Sequence, residues 1–191
     1  MRIAHDWNEY ELLDAGDGEK LERWGSYVLR RPDPQAIWPK GNDSRWERAD
    51  ARYERSSDGG GKWIKKPNMR GEWTVSYREL VFRIECMGFK HTGLFPEQSE
   101  NWKWIGEKIR SADKPVRVLN LFAYTGGATV AAAASGADVC HVDSSKGMNE
   151  RAKENARLSG LLDAPIPVSY THLDDGRVDI CSHTKVPRDA S

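Results

Sequence analysis

The sequence predicts an α/β protein in which a small antiparallel β-rich domain precedes a parallel βαβα unit. Two observations lead to this prediction. All eight tryptophans lie before residue 105, so the chain contains two regions of different composition. In the second region the predicted order is strand, glycine turn, helix, strand, acidic residue and helix, and this alternation is typical of a parallel sheet with right-handed crossovers.

Length and charge limit the possible functions. A chain of 191 residues suits one domain or two small ones. Basic and acidic residues each total 29, so the net charge is zero and a surface that is basic throughout, as nucleic-acid binding would favour, is absent. The charge is uneven, however, because residues 25–70 carry 11 basic and 6 acidic groups. That block predicts either a local basic patch or an ordinary solvated surface.

The sequence gives no sign of a membrane or metal protein. No run of 18 apolar residues is present, and the first residues lack the apolar segment of a signal peptide. Three cysteines at distant positions are too few and too scattered for a zinc site. We therefore expect a cytoplasmic protein that binds no metal.

Residues 1–90 are predicted to form the β-rich domain. Apolar residues alternate at Leu80, Phe82 and Ile84, which predicts an antiparallel meander with one half-buried face. The glycine-rich stretch 56–61 predicts a hairpin, because glycine accepts the positive φ angles of such loops. The predicted strands are Tyr10–Asp14, Gly25–Arg31, Ala51–Arg55, Lys62–Lys65, Glu72–Tyr77 and Glu79–Cys86.

Residues 91–166 are predicted to alternate helices and strands. The helices show apolar stripes at helical spacing, and glycines follow the last two. The first strand is rich in apolar and β-branched residues, which favours a parallel strand covered on both faces. The predicted helices are Gln98–Ser111, Ala128–Ser135 and Lys146–Ser159, the last with a buried stripe of Met148, Ala152 and Ala156, and the predicted strands are Val116–Phe122 and Ala137–Val142.

A candidate ligand site follows from this order of elements. Parallel sheets bind ligands at the carboxyl ends of their strands, and the turn 122–127 lies at such an end. The helix that follows offers free N–H groups to a carboxylate or phosphate. Asp143 ends the next strand, 17 residues after Gly126, where its carboxylate could accept hydrogen bonds from both hydroxyls of a ribose.

The amino-acid sequence of the turn distinguishes between the possible cofactors. Its sequence, Asn120-Leu-Phe-Ala-Tyr-Thr-Gly-Gly127, lacks the G-x-G-x-x-G of dinucleotide sites and the lysine of a P-loop. It resembles motif I of class I S-adenosylmethionine (SAM) methyltransferases, of the form N-L-F-x-Y-T-G-G. That resemblance implies a Rossmann-like SAM domain whose cofactor-binding residues are Asn120, Phe122, Ala123, Tyr124, Thr125, Gly126, Gly127 and Asp143.

Three further segments extend the resemblance over roughly residues 8–166. Leu21–Trp38, His91–Trp102 and Asn155–Leu161 are similar to the bacterial subgroup related to large-subunit ribosomal RNA cytosine methyltransferases. The resemblance implies RNA as substrate and SAM as cofactor. It also implies that the methionine end of the cofactor lies near Phe95, Glu97 and Gln98.

The sequence departs from this family near residue 166. A further strand with an adenine-contacting acid, and then a D-P-P-x-Y-like substrate motif, would be expected, and neither is recognised in the sequence. The segment that begins Pro167-Val-Ser-Tyr-Thr is similar to a translated sequencing adapter, so we predict that residues 167–191 are a non-native, disordered tail. We assign no catalytic nucleophile, acid or base.

These inferences predict a truncated methyltransferase that binds SAM weakly and transfers no methyl group. Two alternatives remain open at this stage. One is a nicotinamide-dependent Rossmann oxidoreductase, which the missing glycine pattern disfavours. The other is a non-enzymatic RNA-binding module that uses the tryptophan- and arginine-rich region before residue 105.

Overall fold

The computed structural model describes residues 4, 6–57, 59–164, 166 and 168–170. The chain forms two compact units, an N-terminal unit over Ala4–Pro96 and a C-terminal unit from Glu97 onward. Of the predicted tail 167–191, residue 167 and residues 171–191 lie outside the described residues.

A five-stranded sheet in the order β1-β2-β3-β4-β5 is the main element of the N-terminal unit. Its neighbours pair antiparallel except β3 and β4, which are parallel. A separate hairpin pairs β6 with β7. The elements are β1 Tyr10–Gly16, β2 Glu19–Trp24, β3 Tyr27–Pro32, α1 Arg45–Arg48, β4 Ala51–Arg55, β5 Gly61–Lys65, β6 Glu72–Tyr77 and β7 Leu80–Glu85.

The β-rich prediction is confirmed, with two corrections. Strand β2 was not predicted from the sequence. Its buried positions are Leu21, Glu22 and Trp24, and because one of them is a carboxylate the strand shows no apolar alternation. A simple meander is also wrong, because the connection through α1 returns the chain parallel to β3. The alternation predicted for β7 is confirmed, since Leu80, Phe82 and Ile84 are buried.

A buried ion pair joins β2 and β3. The Arg31 guanidinium donates from Nε and Nη2 to the two carboxylate oxygens of Glu22, the second at 2.9 Å, and the Tyr10 hydroxyl donates to the same carboxylate at 2.9 Å. Burial alone would raise the pKa of Glu22, but the guanidinium of Arg31 more than offsets it and holds that pKa below its usual value. The carboxylate is therefore ionised and fully paired inside the unit.

The C-terminal unit contains a three-stranded parallel sheet in the order β10-β9-β8. The hydrophobic core of this unit includes a small cluster from α2, α3 and β9, with Ile109, Ala132 and Val139 among its members. The elements are α2 Ser99–Arg110, β8 Arg117–Leu121, α3 Gly127–Ala134, β9 Asp138–Asp143, α4 Lys146–Leu158 and β10 Val168–Tyr170. The predicted parallel βαβα unit is confirmed, and a 3₁₀ turn over Pro96–Gln98 precedes α2.

Two expectations for the sheet are corrected. Strand β8 is not covered on both faces among the described residues, since Leu119 and Leu121 are each 50% exposed. Residues Val168–Tyr170, assigned to the tail, form β10, which pairs parallel with β9 from His141 to Asp143. A three-residue strand is too short to show a period, and it is held by backbone pairing that the sequence does not display.

The buried face of α4 also differs from the predicted stripe. It consists of Asn149, Ala152, Asn155 and Ala156, whereas Met148 is only half-buried. Two amides therefore lie inside the unit, and each has hydrogen-bond partners there.

Removal of the Arg31 guanidinium tests the buried ion pair. The variant Arg31→Ala should lower the free energy of unfolding by about 3–5 kcal/mol at neutral pH, because Glu22 stays buried without its counter-charge. Urea unfolding followed by tryptophan fluorescence measures the loss, since Trp24 lies under Arg31. The control Arg52→Ala breaks an exposed pair with Glu54 and should cost less than about 1 kcal/mol.

The pH dependence of the stability of the same variant tests whether the ionised form of Glu22 is the one that Arg31 stabilises. A carboxyl whose folded pKa is lowered stabilises the fold above its unfolded pKa, and this contribution disappears as the pH falls through the folded pKa. The difference between wild type and Arg31→Ala should therefore shrink on acidification. A difference that stays constant until acid unfolding would contradict the ion-pair interpretation.

Candidate cofactor-binding site

The turn between β8 and α3 has a backbone that few sequences adopt. Phe122, Tyr124 and Gly126 all have positive φ, at 53°, 52° and 82°. A non-glycine residue in this region costs roughly 1–3 kcal/mol and is found most often at functional sites. In this turn the N–H of Tyr124 donates to the Asp143 carboxylate, whereas the N–H groups of Ala123 and Gly126 donate to the carbonyls of Val142 and Ala123.

The carboxylate of Asp143 holds this turn against the next loop. The N–H of Tyr124 donates to Oδ2 at 2.8 Å, and the N–H of Ser145 donates to Oδ1 at 2.9 Å. A carboxylate has about four acceptor positions, so each oxygen retains one for another donor. Asp143 is only half-buried, which leaves that capacity accessible from solvent.

Helix packing requires both glycines of the turn, and the positive φ of Gly126 requires that glycine as well. A Cβ on Gly126 would lie 2.8 Å from Cβ of Ala152 on α4, and a Cβ on Gly127 would lie 2.7 Å from the Trp102 ring on α2. The sequence prediction gave these glycines the role of a close approach to a ligand. The structure shows a close approach to two helices, and the approach to a ligand stays a prediction.

The first turn of α3 is free of side-chain caps. Gly126 is its N-cap residue and makes no side-chain hydrogen bond, and the first turn contains no acidic residue. The leading N–H groups and the positive end of the helix dipole can therefore stabilise an anionic group. Together with Asp143, the site offers an acceptor for hydroxyl groups and donors for a carboxylate.

A buried polar network lies beneath the turn. Asn120 Nδ2 donates to Thr129 Oγ1 at 2.9 Å, and Thr129 Oγ1 lies 2.9 Å from His141 Nδ1. His141 Nε2 lies 3.1 Å from Asn149 Oδ1. Burial lowers the pKa of His141, although the Asn149 hydrogen bond and the charge of Asp143 oppose this, so the imidazole is neutral near pH 7.

Most of the predicted site residues lie in one turn. Phe122 is 93% exposed, whereas Ala123, Thr125 and Gly126 are buried. Six of the eight motif residues and Asp143 share the contacts of the turn or its flanking strands, and Phe122 lies exposed in the same turn. These six are Asn120, Ala123, Tyr124, Thr125, Gly126 and Gly127.

The other three predicted site residues precede α2 and lie outside the glycine turn. Phe95 belongs to the N-terminal unit, where its ring contacts the ring of His91. Glu97 and Gln98 are exposed at the start of the C-terminal unit, and Gln98 Oε1 accepts from Asn101. Gln98 lies one helical turn before Trp102, the side chain that packs on Gly127. No hydrogen bond among the described residues joins Glu97 or Gln98 to the glycine turn.

Four residues of the site were missed from the sequence. Thr129, His141, Asn149 and Asn155 are each at most 1% exposed, and Asn155 Nδ2 donates to the carbonyl of Thr125 at 2.8 Å. The signal available in the sequence was the pair of asparagines at helical spacing within the buried stripe of α4. Polar residues at such positions need buried partners, and here the partners are the turn itself.

The part of the chain that the structure describes contains neither a membrane-spanning helix nor a metal-binding cluster. Within the described ranges, no helix has the length and apolar character to cross a membrane. The same residues hold no group of three or more metal-binding side chains.

Comparison with known proteins identifies the family. The family model for S-adenosylmethionine-dependent methyltransferases matches residues 34–171, most of the chain. The chain belongs to this family. The match includes the glycine turn, Asp143 and β10, and it favours the methyltransferase interpretation over a nicotinamide-dependent oxidoreductase. The cofactor of the family is the one that the turn sequence predicted.

Individual relatives support the assignment. A crystal structure of a SAM-dependent methyltransferase from Agrobacterium tumefaciens matches with TM-score 0.80 and 42% identity, over 85% of this chain and 52% of the other. Ribosomal RNA large subunit methyltransferase K/L of Shewanella woodyi is 45% identical over 83 residues, which is 43% of this chain and 11% of that protein. A candidate SAM-dependent methyltransferase from Streptococcus mutans, at 18% identity and TM-score 0.67, shows the same fold. The chain thus spans about half or less of these relatives.

A methyl group on Gly126 tests the close approach of α4. Gly126→Ala should destabilise the chain by about 1–2 kcal/mol of backbone strain plus about 1–3 kcal/mol of overpacking against Ala152. The control Gly136→Ala has a similar φ of 95° but open space around its Cβ, so only the strain should appear. Urea unfolding measured by circular dichroism gives both values.

A second substitution separates packing from strain in the same experiment. Gly126→Ala should cost less stability in an Ala152→Gly background than in the wild type, because the opposing methyl group is already removed. The single variant Ala152→Gly supplies the reference, since glycine alone costs about 1 kcal/mol in a helix interior. Equal losses for Gly126→Ala and Gly136→Ala, with no smaller loss in the Ala152→Gly background, would show that the packing contact is unimportant.

Proposed function

We propose that this protein binds SAM at the turn between β8 and α3 and that it belongs to the methyltransferases that act on RNA. The observation that carries the proposal is the pairing of an uncapped helix start with a half-buried carboxylate at the carboxyl ends of adjacent parallel strands. SAM presents the complementary groups, a ribose diol and an amino-acid carboxylate. When bound, it supplies an activated methyl group on a sulfonium sulfur.

Each end of the proposed cofactor has a counterpart in the site. Asp143 would accept hydrogen bonds from the ribose hydroxyls through the acceptor positions not used by Tyr124 and Ser145. The first N–H groups of α3 would receive the carboxylate. By resemblance, Phe95, Glu97 and Gln98 would approach the methionine end, and Phe122 at the exposed tip of the turn would cover the ligand.

The chain as described offers only part of a methyltransferase site. Strand β8 has a neighbour on one side only among the described strands, and its Leu119 and Leu121 are half-exposed. The acidic side chain placed against the turn is Asp143, and the proposal assigns it to the cofactor rather than to proton transfer. We infer that this chain by itself binds SAM weakly and transfers no methyl group.

Calorimetry with the full chain tests the cofactor. S-adenosylhomocysteine should bind and NADH should not, and Asp143→Ala should weaken binding by roughly tenfold or more, because two hydrogen bonds to the ribose are lost. The matched control is Asp138→Ala, which removes an exposed carboxylate from the other end of β9. NADH binding without a signal from S-adenosylhomocysteine would refute the proposal.

RNA as substrate is favoured by the names of the relatives and by a groove in the N-terminal unit. The groove has a volume of about 360 Å³ and lies beside α1, on β4 and β5. Four cations and two acids line it: Arg30, Arg52, Lys65, Lys66, Glu47 and Asp50. This is the part of the chain in which the sequence showed excess positive charge.

The arrangement of these cations suits a flexible polyanion. Arg30, Arg52 and Ile64 are neighbours across β3, β4 and β5 and share one face of the sheet. Arg52 and Lys66 are about half-exposed in their ion pairs, and exposed pairs exchange partners at little cost. Ile64 is 37% exposed among the charges and offers an apolar surface to a base. A positively charged groove that follows the backbone is typical of single-stranded RNA binding. A ribosomal RNA cytosine, as the resemblance implies, would place the protein in the cytoplasm.

Charge reversal in the groove tests this part of the proposal. Arg52→Glu with Lys65→Glu should weaken binding of a short fluorescent single-stranded RNA roughly tenfold or more and reduce the salt dependence by roughly one to two units in a log–log plot. Fluorescence anisotropy at several salt concentrations measures both. The control, Arg55→Glu with Lys62→Glu, makes the same charge change on the same hairpin outside the groove.

The control decides between a groove and general electrostatics. If both double variants lose the same affinity, RNA binds the unit by net charge alone and the groove has no special role. Binding of S-adenosylhomocysteine should be unchanged in both, since neither variant touches the cofactor site.

A further inference from the structure

The polar network beneath the turn runs in one direction from β8 to the end of β9. It connects four side chains on four different elements, and it ends on the backbone of the residue that would hold the ribose. Its members in order are Asn120, Thr129, His141, Asn149 and the carbonyl of Asp143. Among these residues, the cofactor proposal uses only Asp143, through its carboxylate.

The last member fixes the direction of every bond. The carbonyl oxygen of Asp143 can only accept, so Asn149 must present its Nδ2 there, at 3.0 Å. Asn149 Oδ1 therefore faces His141 Nε2, which must carry the proton. Nδ1 of the neutral ring is then an acceptor, so the Thr129 hydroxyl donates to it, and Asn120 donates to the hydroxyl.

We propose that His141 is a positioning residue that holds the glycine turn and Asp143 in cofactor-binding geometry only in its neutral, Nε2-protonated form. The inference rests on the proposed function, since it assigns a role at the same site. His141 also packs against the turn directly, because its Cε1 lies 3.5 Å from the position of a Cβ on Gly126. Its ring thus supports the turn from below and connects β8, α3 and α4.

A second proton on the imidazole would break this order. Protonated His141 has donors at both nitrogens, so Thr129 would have to accept from Nδ1 and could no longer donate to it. The charged ring would also be fully buried, and the groups that face it from α3 and α4, Thr129 and Asn149, are neutral. Asp143 is the charged group that favours protonation, and burial outweighs it in lowering the pKa of His141.

The first test reads the proton directly. Nitrogen-15 spectra of the histidine side chains in the full chain should show His141 with a protonated Nε2 and an unprotonated Nδ1 at neutral pH. Acidification should protonate His141 at a pH below its usual range, and the amide signals of Tyr124 and Ser145 should shift along the same titration curve. This measurement needs no cofactor and therefore stands even if SAM does not bind.

The second test links the proton to the cofactor. Affinity for S-adenosylhomocysteine, measured by calorimetry from neutral pH downward, should fall together with the titration of His141. Thr129→Val keeps the side-chain shape but removes the hydroxyl, so it should lower the affinity by roughly tenfold at neutral pH and flatten the pH profile. Thr129→Ser restores the donor and should restore both affinity and profile.

The outcomes separate this inference from the proposed function. The inference is overturned, with SAM binding left intact, if the proton is on Nδ1 at neutral pH. It is also overturned if the amide signals of the turn do not change as His141 titrates. An affinity for S-adenosylhomocysteine that is unchanged in Thr129→Val would also overturn it. If wild type binds NADH instead, the proposed function fails, and the nitrogen-15 result still decides the state of His141.

Discussion

The carboxylate of Asp143 is the interaction on which the candidate site depends. It accepts from backbone N–H groups of two different loops, at Tyr124 and Ser145, while the Asp143 carbonyl receives Asn149 from below. The turn before α3 contains two non-glycine residues with positive φ, a conformation that persists only when surrounding contacts impose it. Asp143 supplies such a contact from one side, and Asn155 binds the Thr125 carbonyl from the other.

Helix α4 shows how packing and polarity combine in this site. Its small residue Ala152 lets the helix approach Gly126 closely, and its two buried asparagines bond to the turn and to β9. Buried polar groups are expensive unless every one is satisfied. A network of this kind therefore specifies one arrangement of β8, α3, β9 and α4, and it leaves the outer side of the turn open for a ligand.

The sequence predicted much of this fold, because the C-terminal elements follow apolar periodicity and glycine stops. It also predicted the turn and Asp143, because the string from Asn120 to Gly127 resembles a family motif. It missed β2, since the buried Glu22 looks like a surface residue until Arg31 is placed opposite. It likewise missed β10 and His141, which depend on contacts between distant parts of the chain that no local pattern records.

One measurement tests the central claim that the β8–α3 turn is a SAM site. Backbone amide spectra of the full chain should be recorded during titration with S-adenosylhomocysteine. The largest shifts are expected at Gly127, Ala128, Tyr124 and Ser145, at the start of α3 and around Asp143, with little change in β1–β5. Shifts confined to the N-terminal unit, or none at saturating ligand while NADH moves the turn, would contradict the assignment.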